Sequence, residues 1–161
     1  MASPLTVFDH LALHPLVADL PGRWIRRLAA LGTSVTWPES TRLMREGTPL
    51  DHLWLPWSGV VMLDFHLPGH GDVPITLTGG DGVLGWSSLI PPYRSTIGAF
   101  IVEECHAVEL RAGGLRNLIA EEPALGFELT DRLLAIAADQ LHAAHQRVAD
   151  VRGLDSADRL G

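Results

Sequence analysis

Gly79-Gly-Asp-Gly-Val-Leu-Gly-Trp-Ser-Ser-Leu-Ile-Pro-Pro-Tyr-Arg-Ser-Thr-Ile-Gly-Ala99 is the stretch on which the reading of the chain turns. It opens as a glycine-rich turn, in which Asp81 can bond its own backbone and the glycines can take left-handed conformations. Gly85 permits a close backbone approach, and Ser87 and Ser88 offer hydroxyls and cap character for a short helical turn. Pro91-Pro92 ends any helix and delivers Tyr93, Arg94, Ser95 and Thr96 to the start of an apolar strand. Backbone N–H groups at a short helix start, one arginine and several hydroxyls are the parts of an anion site. A glycine turn followed by a surface arginine has the same sequence, and the stretch alone leaves both readings open.

Upstream, the chain reads as strands punctuated by Gly and Pro. Val35 and Trp37 alternate with polar residues, and Leu43-Met44 runs into the turn Arg45-Glu46-Gly47-Thr48-Pro49. Leu53 to Pro56 is a strand, Ser58-Gly59 a turn and Val60 to Leu67 the next strand. Pro68 to Asp72 gives a hairpin, which Pro74 to Thr78 answers. Downstream, Ile97–Val102 and Ala107–Leu110 read as two more strands. Strands of this length and spacing predict a small barrel or sandwich. Residues 8–32 read as short helical pieces broken by Pro15 and Pro21-Gly22, with Trp24, Ile25, Leu28 and Leu31 on one face. At the other end a helical turn through Leu115, Leu118 and Ile119 stops before Pro123. A long helix then runs to about residue 152, with Leu129, Leu133, Ile136, Ala137, Leu141, Ala144 and Val148 along one seam.

Taken together, these motifs resemble the cyclic-nucleotide-binding domain, the sensor module of Crp/Fnr-type regulators, cyclic-nucleotide-dependent kinases and gated channels. Gly80-Asp81 and Leu84-Gly85 match the start of its phosphate-binding cassette, and Arg94-Ser95 matches its phosphate-contacting pair. Leu43 to Pro49 and Leu53 to Val61 resemble its earlier glycine turns. Trp86 stands where the family places a ribose-binding glutamate, and an indole donates a hydrogen bond but cannot accept one. The resemblance covers residues 10 to 151. It implies a mainly β fold with flanking helices: a double-stranded β-helix (jelly-roll-like) barrel of about eight strands and a long C-terminal dimerisation helix.

The organisation it implies is an N-terminal helical segment over 1–32 and a barrel over 33–122 with its cassette at 79–99. The long helix covers 123–152 and a tail 153–161. The implied ligand set is Gly85, Trp86, Ser87, Ser88, Arg94, Ser95, Thr96 and Gln140, the last reaching a nucleotide base from the long helix. The implied dimer seam is Leu133, Ile136, Ala137, Leu141, Ala144 and Val148.

Composition narrows the function classes. The 161 residues carry a formal charge of −7, and all basic residues are arginines without clustering, which argues against a nucleic-acid surface. A single Cys105 rules out an internal disulfide and fits a reducing compartment. The N-terminus lacks the pattern of a secretory signal and no run is long enough to span a bilayer, so the expected location is the cytoplasm. His142 and His145 share a helix face without the further ligands a metal needs, and Cys105-His106 lacks a third catalytic partner. No enzyme and no cofactor are expected. Only ten residues follow Val151, where Crp/Fnr transcription factors continue into a helix-turn-helix domain, so a stand-alone module is expected.

Two functions follow as expectations. The first is a sensor that binds a cyclic nucleotide or related phosphate ligand and signals through its long helix, as a homodimer, to a protein partner in trans. The second is a dimeric interaction module whose pocket Trp86 fills.

Overall fold

The computed structural model describes residues 3–159. Helix α1 (Val7–Leu13) starts in a capping box: Asp9 N–H donates to the Thr6 hydroxyl and Thr6 N–H to the Asp9 carboxylate. Helix α2 (Gly22–Ala29) buries Trp24, Ile25 and Leu28, the face expected from their spacing. One antiparallel sheet follows, built from β1 (Gly32–Trp37), β2 (Arg42–Met44), β3 (His52–Leu67), β4 (Gly71–Thr78) and β5 (Gly98–Arg111). Strand β5 is its axis: it pairs with β3 along one edge and with β1 and β2 along the other, while β4 pairs with the far side of β3. Helices α3 (Ala112–Glu121) and α4 (Pro123–Asp158) close the chain.

The sheet has five strands where about eight were expected, because neighbouring expected strands are continuous. Leu53–Pro56 and Val60–Leu67 are one strand, β3, and Ile97–Val102 and Ala107–Leu110 are joined within β5. The expected turn at Ser58-Gly59 is a bulge inside β3, where the register against β5 slips on both sides of Ser58. Gly59 has φ +98°, and a Cβ there would collide with the Glu104 carbonyl and lie 2.6 Å from the Cys105 Cα. The glycine lets a 16-residue strand bend without leaving the ladder.

Pleating splits the core in two. Leu53, Leu55, Val108 and Leu110 point to the helices, where they meet Leu11, Leu28, Leu115, Leu125 and Leu129. Trp54, Cys105 and Ala107 point into the barrel with Val61, Leu63, Leu84, Ala99 and Ile101. Burial pushes the Cys105 thiol up to about 11, so it stays protonated.

Helix α4 is 36 residues long, about 54 Å at 1.5 Å per residue, and begins with Pro123 in its first turn. It does not stop at 152. It runs through Gly153 to Asp158, so most of the expected tail is helical. Its distal half is held to the sheet: Arg147 Nε donates to the Pro74 carbonyl at 2.9 Å, and His70 Nε2 lies 3.2 Å from Asp155. The expected dimer seam divides. Leu133 is buried, whereas Ile136 and Ala144 are half-buried and pack in part against the protein's own core. The outward large apolar residues are Phe127, Leu134 and Leu141, exposed by 71%, 67% and 58%, and, near the end of α4 and off their spacing, Leu154.

Candidate functional site

The expected cassette lies between β4 and β5. The glycine turn closes with Gly82 N–H on the Gly79 carbonyl at 3.0 Å. His14, buried beneath it, donates from Nε2 to the Gly82 carbonyl at 3.0 Å while Nδ1 accepts from Leu16 N–H at 3.2 Å. Burial lowers the pKa of this imidazole, and the two bonds fit its neutral form. Leu84 and Trp54 exchange backbone bonds of 2.8 and 2.9 Å, which anchor the segment to β3. Gly85 then turns with φ +78°, where a Cβ would lie 2.5 Å from the His52 carbonyl and 3.1 Å from the Trp54 ring. A 3₁₀ helix, Trp86–Leu89, follows directly.

The other end of the cassette explains why two motifs far apart in sequence occur together. Ser95 N–H donates to the Thr48 carbonyl and Gly47 N–H to the Ser95 carbonyl, so the Arg45–Pro49 turn and the Arg94-Ser95 pair are bonded across the barrel. Arg94 is exposed, and its Nη1 donates to the Gly47 carbonyl at 2.6 Å. Ser95 is buried, and its hydroxyl donates to the Ile97 carbonyl.

Gly85, Trp86, Ser87, Ser95, Thr96 and Gln140 line one common cavity. Arg94 and Ser88 are not among its walls. Ser88 is fully buried, its carbonyl accepts from Arg116 at 2.7 Å, and its hydroxyl has no partner. The cavity itself measures about 10 Å³, on the order of a single water. The filling group is Trp86, whose Nε1–H crosses to the Gln140 side-chain oxygen at 2.9 Å. The residue in the glutamate position and the residue expected to reach a base thus bond to each other. The apolar walls supplied by Met44, Leu63, Val83 and Ile97 were missed in the sequence, where they read only as strand interior.

Among the described residues no group of three or more His, Cys, Asp or Glu side chains is placed to hold a metal ion. No helix among them is long and apolar enough to cross a membrane. The site presents a guanidinium that could meet an anion, an inner cavity of about 10 Å³, and on the outer side of Trp86 and Gln140 an apolar hollow of about 470 Å³ that shares Thr96 and Ile97 with it.

An antiparallel sheet with flanking helices and a long C-terminal helix matches the cyclic-nucleotide-binding jelly-roll fold. No protein-family model matches the chain. Among curated proteins it is 28% identical over 126 residues to the CRP-like cAMP-activated global transcriptional regulator of Mycobacterium tuberculosis, which covers 78% of this chain and 54% of that protein. The chain thus spans about half the length of the curated relatives it matches. Among solved structures it is similar to a cyclic nucleotide-binding domain from Methylobacillus flagellatus, with a TM-score of 0.73 and 22% identity over 89% of this chain and 81% of that one. The catabolite activator protein of Thermus thermophilus gives a TM-score of 0.68 and 21% identity, covering 86% of this chain and 63% of that one. The chain has the fold of cyclic-nucleotide-binding domains and is similar in sequence to a regulator of Crp type.

Proposed function

We propose that the chain is a non-enzymatic regulatory module whose nucleotide cavity is occupied by its own Trp86, and that it works as a homodimer through α4. The observation that carries this is the Trp86–Gln140 bond, which leaves about 10 Å³ against the cassette and walls it off from the outer hollow of about 470 Å³, whose other walls are chiefly apolar. A cyclic nucleotide needs several hundred Å³. The dimer half of the reading rests on Phe127, Leu134 and Leu141, which recur every seven residues on the exposed side of α4, the spacing of a coiled-coil seam. Ala137, Ala144 and Val148, half-buried, flank that seam. A protein partner in trans, in the cytoplasm, would read the dimer.

The competing reading is the cyclic-nucleotide sensor, and one observation favours it. Arg94 is held only by a backbone carbonyl and could swing toward a phosphate once Trp86 withdrew. Calorimetry against cyclic AMP, cyclic GMP and cyclic dinucleotides separates the two. The filled cavity predicts no saturable heat from any of them, with wild type and Arg94→Ala alike. Saturable binding that Arg94→Ala abolishes would establish the sensor instead.

A further inference from the structure

A second cleft lies on the outside of the cassette, between the 3₁₀ helix, α3 and α4, with a volume of about 330 Å³. Its walls are apolar: Leu89 and Ile90 come from the cassette, Ile119 from α3, and Leu133 and Leu134 from α4. Set into them is one charge, the guanidinium of Arg116. It donates to the Ser88 carbonyl and stacks on the Tyr93 ring at 4.2 Å, and among the described residues no carboxylate lies within ion-pair distance of it. The acids that end α3, Glu121 and Glu122, are turned away to Arg27 on α2.

We propose that this cleft binds a small amphipathic carboxylate, its apolar body among the leucines and isoleucines and its carboxylate on Arg116. The volume falls in the range of small-molecule sites, which are apolar hollows with a few orienting polar groups. One guanidinium still has N–H donors to offer a carboxylate in a forked geometry. A nucleotide does not fit this chemistry, because its ribose hydroxyls would be buried against aliphatic carbon without partners. Such a ligand would touch the cassette, α3 and α4 at once, and would therefore link the state of the cassette to the position of the long helix. The inference goes beyond the filled-cavity reading, although the cleft shares Trp86 as a wall with that cavity and Leu134 with the proposed dimer seam.

The test titrates octanoate, phenylacetate and indole-3-acetate, each beside its matching alcohol, into the full chain by calorimetry. Arg116→Gln and Thr130→Trp are run in parallel, the latter placing a bulky ring in the cleft from an exposed position. At least one acid is expected to saturate, with its alcohol weaker by roughly tenfold or more. Arg116→Gln should bring the acid down to the alcohol, and Thr130→Trp should weaken both. The acid–alcohol comparison on wild type needs no variant to fold. No saturable binding of any acid would overturn the proposal, as would acids and alcohols that bind alike. So would a Thr130→Trp variant that falls from dimer to monomer while wild type binds no acid, since a second copy would then cover the cleft. Cyclic AMP binding that Arg94→Ala removes, with octanoate binding untouched, would sink the filled-cavity reading and leave the cleft standing.

Discussion

An indole has one N–H to give and no lone pair in the ring plane to offer, so Trp86 can satisfy the Gln140 oxygen but cannot stand in for a carboxylate toward a ribose. Its ring does the rest by volume, taking space that a ligand would need. Trp86→Ala should therefore act on stability before it acts on binding. Loss of a half-buried ring and of its hydrogen bond is expected to cost about 2–4 kcal/mol, read by urea unfolding. Arg94→Ala, which removes an exposed side chain and one bond to the Gly47 carbonyl, should change the same measurement by no more than about 0.5 kcal/mol. Equal losses in the two variants would mean that the ring is not a structural filling. The family resemblance marked Trp86 as a departure from the glutamate position, and it implied that Gln140 could reach a base from the long helix. What it could not show is that the two meet, since their contact spans 54 positions and depends on where α4 crosses the barrel mouth.

The elements were legible where one period dominates. Trp24, Ile25 and Leu28 mark α2 because only one of its faces is buried. Helix α4 is different, because it has two apolar faces next to each other. Leu129, Leu133 and Ile136 lie on the protein's own core, whereas Phe127, Leu134 and Leu141 look outward. Periodicity registers both sets and cannot say which set meets a partner. The bend in β3 was misread for a related reason: Ser58-Gly59 has turn chemistry, and a bulge uses the same left-handed glycine as a turn. Two predictions belong at this scale. Gly59→Ala forces a side chain into the Glu104 and Cys105 backbone at a positive φ, and should lower stability by about 2 kcal/mol or more in chemical denaturation. Leu134→Glu with Leu141→Glu should leave the monomer's melting temperature unchanged, because both positions are exposed there. Dimerisation should weaken at least roughly a hundredfold in sedimentation, through burial of unpaired carboxylates. A double variant that still sediments as a dimer would move the interface off this seam.

At the scale of the whole molecule, the N-terminal segment and the cassette share a hydrophobic cluster and are also joined by a buried imidazole. His14 is 3% exposed, accepts from Leu16 on one side and donates to Gly82 on the other. Protonation would place a hydrogen on Nδ1 against the Leu16 N–H and a charge in a buried site, so the folded state resists it and its pKa lies below the ordinary 6.5. The unfolded chain then binds more protons than the folded one between that lowered value and 6.5. Stability must accordingly fall as pH drops through this window, with a slope approaching 1.4 kcal/mol per pH unit for one proton. Asp9, Asp19 and Asp72 act in a different range. Hydrogen bonds from Thr6, Arg132 and His66 hold them below the usual 3.8, and whatever they contribute is lost only in stronger acid. The two windows can be separated by denaturant unfolding at pH 7.5, 6.5, 5.5 and 4.5. Wild type should weaken from about pH 6.5 downward, and His14→Gln, with no proton to take up, should hold a flatter profile across the same interval. Its starting stability at pH 7.5 will be lower, so the slope and not the level carries the comparison. Parallel slopes in the two proteins would show that the coupling of the N-terminal segment to the glycine turn does not depend on the charge of His14, and that the acid sensitivity arises elsewhere in the molecule.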